Sequence, residues 1–336
     1  MITDYYFFLT QRCPNRCKYC YVDYDAHEDM TIEQIDSYIE QYHPGRIIFF
    51  GGEPLLKLDL LEYTVKKYYG KIQFQVVTST MVNFKEFIEF HKRYPLDEIQ
   101  LSWDGFTTSR IDINGNSIED RVYENIMYAL SQGMTFDIKS VINNENVDKL
   151  LDLHYIFKQL KPYGANGEFV IAHGIDYDEP FYESLQKNLI YTFDLDKMYS
   201  MHLNKICAYL YDDEYASCDI GKYYTLDSKG ILNYCTALAQ MNVVLNYEDT
   251  QKRCFDKECK HCEYKRICDG GCRYERYQLY GNRWKDFFIY PTCRITKIYF
   301  NTISTWLHSL SSQDENKFLS ILRKYKEWQY KRFGLE

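Results

Sequence analysis

The chain has 336 residues, of which 46% are hydrophobic, with 34 tyrosines and a formal net charge of −8. That length and composition describe a globular protein with room for two domains, and the absence of a long basic run gives a nucleic-acid partner no support. The start, MITDYYFFLTQRC, lacks a signal peptide's basic end and long apolar core, and no apolar stretch is long enough to cross a bilayer. A cytoplasmic protein with no membrane partner is therefore expected. Its twelve cysteines, in a compartment that keeps thiols reduced, point to metal ligation rather than disulfides.

Short apolar runs at 4–10, 46–50, 72–77, 98–103, 135–142 and 167–172 read as strands. Stretches of helical period fill the gaps at 31–42, 55–69, 84–94, 119–132 and 146–160, with Thr31 and Asn83 as predicted N-caps. Strands that alternate with helices pair in parallel through right-handed crossovers. The fold class is therefore α/β, as an open partial barrel or a doubly wound sheet, with a ligand beyond the C-terminal strand ends. The pattern changes after about residue 178: 182–211 reads as helical linker, cysteines dominate 218–293, and 294–333 reads as two closing helices.

Directly after the first predicted strand, Cys13, Cys17 and Cys20 form C-x3-C-x2-C. Three thiolates on a short loop hold three corners of a [4Fe–4S] cube and leave one iron open to a small molecule. Zinc would want a fourth ligand from elsewhere, and a redox pair would want two cysteines only. After the second strand comes Gly51-Gly52-Glu53-Pro54, a turn whose glycines suit close backbone approach to a ligand. Thr78-Ser79-Thr80 and Ser102-Trp103-Asp104-Gly105 stand at later strand ends. In isolation such tripeptides are caps and turns. Further on, Cys218-x11-Gly230-x4-Cys235 precedes Cys259-x2-Cys262-x5-Cys268-x3-Cys272, with Cys293 alone beyond. A zinc ribbon is the competing reading of that middle quartet.

Together these motifs resemble the radical S-adenosylmethionine (SAM) superfamily with a C-terminal SPASM extension, the type found in ribosomal-peptide maturases and anaerobic sulfatase-maturating enzymes. The resemblance implies a partial (β/α)6 TIM-like barrel over 1–178, a helical linker over 179–217, a SPASM auxiliary-cluster domain over 218–297 and C-terminal helices over 298–336. It implies three [4Fe–4S] clusters. Cys13, Cys17 and Cys20 hold the catalytic, SAM-binding one; Cys218, Cys235 and Cys272, with Cys207 as a fourth ligand, hold the first auxiliary cluster; Cys259, Cys262, Cys268 and Cys293 hold the second. Cys254 fits no position of the pattern. SAM would be held by Tyr19 near the adenine, Gly51, Gly52, Glu53 and Pro54 near the methionine, and Ser79, Ser102 and Asp104 near the ribose or substrate.

The activity so implied is reductive cleavage of SAM to a 5′-deoxyadenosyl radical that abstracts hydrogen from a peptide or protein. Electrons would come from a donor such as flavodoxin or ferredoxin. The favoured outcome is a thioether or carbon–carbon cross-link in a ribosomally made peptide. Because the chain begins almost at its first strand, leader recognition is expected from a separate leader-peptide-binding protein, by direct recognition, or in a groove. Formylglycine formation on a sulfatase is the nearest alternative, although Thr236 stands where those maturases carry an aspartate. Peptide epimerisation and a non-enzymatic metal-binding scaffold complete the alternatives.

Overall fold

The computed structural model describes residues 4–22, 28–211, 223–241, 243–244, 259, 261–268, 271–281 and 290–333. The chain runs through β1 (Asp4–Thr10), α1 (Ile32–Tyr42), β2 (Arg46–Gly51), α2 (Leu58–Tyr68), β3 (Gln73–Thr78), α3 (Phe84–Arg93), β4 (Glu98–Ser102), α4 (Glu119–Ser131), β5 (Phe136–Ile142), α5 (Leu150–Leu160) and β6 (Ala165–Ile171). Hydrophobic period alone located these elements, each strand end falling within two residues of its expected place. Thr31 caps α1 in a capping box with Gln34. Asn83 holds the N-cap position of α3 as expected, but with left-handed backbone at φ 48° and its side chain donating to Leu55 O rather than to the helix.

All strands pair in parallel, in the order β6-β5-β4-β3-β2-β1-β7. The six-unit reading thus needs one strand more. β7 (Tyr223–Leu226) comes from the cysteine-rich half and extends the sheet beside β1. Its four residues carry too short an alternation to be legible in sequence. The turn after it is pinned by α1, where Gln34 Nε2 donates to Ser228 O (2.6 Å) and Tyr38 Oη to Asp227 O (3.3 Å).

The pleat gives the sheet two different faces. Phe7, Phe49, Val76, Leu101 and Ile138 are buried against helix residues such as Leu61, Phe87, Ile126 and Phe157. At Gly167 a Cβ would come within 2.0 Å of the Phe157 ring, so the glycine lets α5 lie on β6. The opposite face is polar along β3 to β6, where Gln75, Gln100, Asp137, Lys139 and Glu168 line a cavity of about 450 Å³.

The stretch read as linker forms helices Glu179–Asn188 and Ser200–Tyr211, and its Leu185, Leu203 and Ile206 join the same continuous core as the sheet. The closing helices are Tyr290–Ser309 and Ser312–Phe333. Tyr299, Trp306, Phe318 and Leu322 bury into that core as well. Among the described residues no helix is long and apolar enough to cross a membrane.

Candidate functional site

The C-terminal ends of β1, β2 and β3 converge on the loop that carries Cys13, Cys17 and Cys20, all half-buried. Gly52 N donates to Thr10 O (2.8 Å) and Glu53 N to Arg12 O (2.9 Å), so the Gly-Gly turn docks directly under the cysteine loop. Only glycine permits this approach. A Cβ on Gly51 would lie 2.2 Å from Thr10 O, and one on Gly52 would lie 2.3 Å from Arg12 O. Pro54 then starts a short 3₁₀ turn that leads into α2.

Glu53 and Ser79, both expected at a cofactor, are turned toward each other. Glu53 is 1% exposed. Its carboxylate accepts from Thr78 Oγ1 (2.7 Å), Leu55 N (3.2 Å), Ser79 N (2.8 Å) and Ser79 Oγ. Burial pushes this carboxyl up while those donors pull it back. The side chain is thus a strut between β2 and β3, and the backbone of the turn is what remains to meet a ligand.

A second strut joins β4 to the cysteine loop. Asp104 is completely buried, and one carboxylate oxygen accepts from Val141 N (2.8 Å) while the other accepts from the Tyr19 hydroxyl. Tyr19 in turn accepts from Arg110 Nη1 (3.1 Å), and Asp104 N donates to Glu119 Oε2 (3.3 Å). Arg110 and Glu119 are buried too. Asp104, expected near the ribose or substrate, thus has both carboxylate oxygens engaged by protein donors. Tyr19 keeps its place on the loop with its hydroxyl engaged in the same network. Ser102 closes β4 half-buried, opposite Lys139 of β5. Arg110 and Glu119 were missed in the sequence because Arg110 falls in a stretch without a motif and Glu119 reads only as the first residue of a surface helix.

Burial pushes the Cys13 thiol up to about 12 and Cys17 up to about 11, Arg110 being the leading opposing influence on Cys17. Such thiols stay protonated until a cation replaces the proton. Three half-buried sulfur donors on one loop at the strand ends fit an iron–sulfur cluster with one open iron.

The later cysteines fall into neighbourhoods. Cys235 and Cys272 both pack around Leu238 and Tyr274, and Tyr21 of the first loop joins them, its ring 5.6 Å from that of Tyr274. Cys259 and Cys262 share a turn, and Cys262 lies close enough to Cys293 to raise its thiol further beyond the effect of burial. Cys207, expected as a fourth ligand, lies on the helix Ser200–Tyr211. It is 0% exposed within the apolar core. Cys218 and Cys254 lie outside the described residues.

Cys268 and Cys272 also line a cavity of about 270 Å³ beyond β6, which shares Lys139, Ser200 and Asn204 with the polar cavity below. On its wall His173, Cys272 and Glu275 each bring a ligand atom within 4.8 Å of the others. Burial alone would raise the Glu275 carboxyl, but His173, Thr292 and Gly174 N hold it below its ordinary value. Neither His173 nor Glu275 stood out in the sequence.

Residues 7–154 match the Radical SAM superfamily. An S-adenosylmethionine-dependent nucleotide dehydratase of Selenomonas ruminantium is 30% identical over 168 residues, 45% of this chain and 60% of that protein. A probable GTP 3′,8-cyclase of Methanocella arvoryzae is 30% identical over 156 residues, 43% of this chain and 50% of that protein. The chain thus spans three fifths or less of these curated relatives. Among solved structures, native anSMEcpe with bound AdoMet and Cp18Cys peptide superimposes with a TM-score of 0.71 at 17% identity, over 90% of this chain and 96% of that one. Streptococcus suis SuiB bound to precursor peptide SuiA gives 0.62 at 14% identity, over 87% and 75%. Residues 7–154 are thus similar to the Radical SAM superfamily, and the parallel sheet and the cysteine loop after β1 agree with that likeness. Over most of its length the chain shares its fold with anSMEcpe and SuiB.

Proposed function

We propose that this enzyme uses the radical SAM reaction to modify a ribosomally made peptide oxidatively, in the cytoplasm. The observation that carries the reading is a pair of neighbouring cavities inside the half-barrel that share Lys139, Ser200 and Asn204. One lies on the polar inner face at Gln100, Asp137 and Glu168, and the other is lined by Cys268 and Cys272. Together they offer a polar, partly enclosed site beside the later cysteines for part of a polypeptide. Support comes from the peptide named in the anSMEcpe structure and the precursor peptide named in that of SuiB, both on this fold.

Cys13, Cys17 and Cys20 are the residues to hold the SAM-binding [4Fe–4S] cluster. When bound, it supplies the electron that splits SAM and so generates the hydrogen-abstracting radical. The chain's own work is placement. Gly51 and Gly52 bring backbone to the ligand, the Glu53 strut fixes that turn, and Tyr19 and Asp104 lock the cysteine loop. Cys235 and Cys272, together with Cys218, serve one auxiliary cluster, while Cys259, Cys262, Cys268 and Cys293 serve the other. A flavodoxin or ferredoxin donates the electron.

A nucleotide substrate is the second reading, favoured by the names of the curated relatives across the N-terminal half. Formylglycine formation is the third, favoured by the likeness to anSMEcpe.

The test is anaerobic co-expression with a short peptide encoded beside the gene, followed by mass measurement. Loss of two hydrogens (about 2 Da), abolished by Cys13→Ala, is the expected result. An unmodified peptide, together with 5′-deoxyadenosine release stimulated by nucleoside triphosphates, would instead establish the nucleotide reading.

A further inference from the structure

The cysteine loop is braced by the segment that follows β4. Arg16 N donates to Ile111 O (2.7 Å), Lys18 N donates to Ser109 O (3.0 Å), and Asn15 bridges Asp112 in the antiparallel sense. The register these pairs share sets Cys17 opposite Arg110. Both flanking pairs are hydrogen-bonded, so Cys17 and Arg110 occupy the non-hydrogen-bonded position between them. There opposing Cα atoms approach to roughly 4.5 Å and both side chains leave on one face.

Arg110 is only 6% exposed. Nη1 donates to the Tyr19 hydroxyl (3.1 Å), and Nε has no hydrogen-bond partner among the described residues. The groups acting on the guanidinium are Tyr19, Cys17, Asp104 and Glu119. An arginine placed there to neutralise Asp104 would be expected to pair with it directly. Instead Tyr19 intervenes, and the guanidinium lies across from a thiol.

We propose that Arg110 is a positioning residue for the cofactor of Cys13, Cys17 and Cys20. Its fixed charge holds the Cys17 thiolate as a ligand and raises the reduction potential of the cluster bound there. The inference rests on the iron–sulfur reading above. A one-electron donor reduces the cluster and makes it more negative. A fixed cation nearby, in a medium of low dielectric, stabilises that reduced form more than the oxidised one. Arginine suits the task because its charge persists at every accessible pH.

The test uses the full chain, reconstituted anaerobically, as parent, Arg110→Met and Arg110→Lys. Each is titrated with dithionite while the electron paramagnetic resonance signal of the SAM-bound cluster is followed. SAM perturbs this cluster alone, so the auxiliary signals do not interfere. In Arg110→Met the reduction equilibrium should move at least tenfold toward the oxidised form, ~59 mV for one electron. Arg110→Lys should stay within about threefold of the parent. Loss of the SAM-sensitive cluster in Arg110→Met with retention in Arg110→Lys would support the charge role equally. Identical titration of Arg110→Met and parent, or equal damage in both variants, would overturn it. A parent with no SAM-sensitive signal would overturn the iron–sulfur reading, and this inference with it.

Discussion

Lys197 has only 3% of its surface exposed, with Nζ donating to Asn166 Oδ1 (2.7 Å) above the Tyr199 ring. Burial pulls its pKa down to about 8, against the opposing influence of Glu168. Between that value and the ordinary lysine range the unfolded chain holds a proton that the folded chain has released. Stability should therefore rise as pH increases across this window. Lys197→Met removes the cost of burying the charge, up to ~3 kcal/mol at neutral pH. It should melt higher than the parent at pH 7, and the difference should shrink by pH 10. Thermal melts across pH 6–10 decide this, and a constant difference would exclude the burial argument. At the same scale, the carboxylates of Glu53 and Asp104 brace the site by bonding neighbouring strands and loops. Glu53 accepts four hydrogen bonds and Asp104 two, and each ties together segments distant in the chain.

At the scale of elements, the site depends on how closely the β2 turn docks beneath the cysteine loop. The 2.3 Å and 2.4 Å approaches of a Gly52 Cβ to Arg12 O and Gln11 O involve backbone, which cannot swing aside as a side chain could. Gly52→Ala should therefore destabilise the protein by about 1–3 kcal/mol. It should also displace the loop, with iron bound per chain falling more than the melting temperature alone would explain. Full iron content in Gly52→Ala would refute the docking argument. The polar strip of β3 to β6 belongs to this scale as well. A strand set buried on both faces would read as continuous hydrophobics. Here Gln75, Gln100, Asp137, Lys139 and Glu168 interrupt the pattern because their face looks into a cavity.

For the molecule as a whole, the last helix, Ser312–Phe333, closes the lower cavity. Tyr325, Trp328 and Gln329 line it, and both Tyr325 Oη and Gln329 Nε2 donate to Asn204 Oδ1. Phe318 packs edge-on against Trp306 at 5.2 Å, and Leu322 is buried beside it. Deleting residues 312–336 exposes these side chains and should cost about 3–6 kcal/mol. It should also open the lower cavity to solvent. Melting temperature and protease sensitivity of Ser200–Tyr211 are the readouts, and an unchanged melt would mean that the helix is dispensable to the core. One hydrophobic core runs from the sheet through the helices of the C-terminal half, so loosening that end should be felt at the cavity.

The sequence by itself determined the strands and helices of the half-barrel, because periods of two and 3.6 residues are local and the core faces follow them. It also determined the cysteine triad and the Gly-Gly turn, because thiol spacing on one loop and a need for glycine are likewise local. Only the tertiary structure decided that Glu53 and Asp104 act as struts, that Cys207 is core, and that β7 completes the sheet beside β1. It alone set Arg110 against Cys17. Each of these depends on burial or register between segments far apart in the chain, where a one-residue slip would send a side chain to the opposite face.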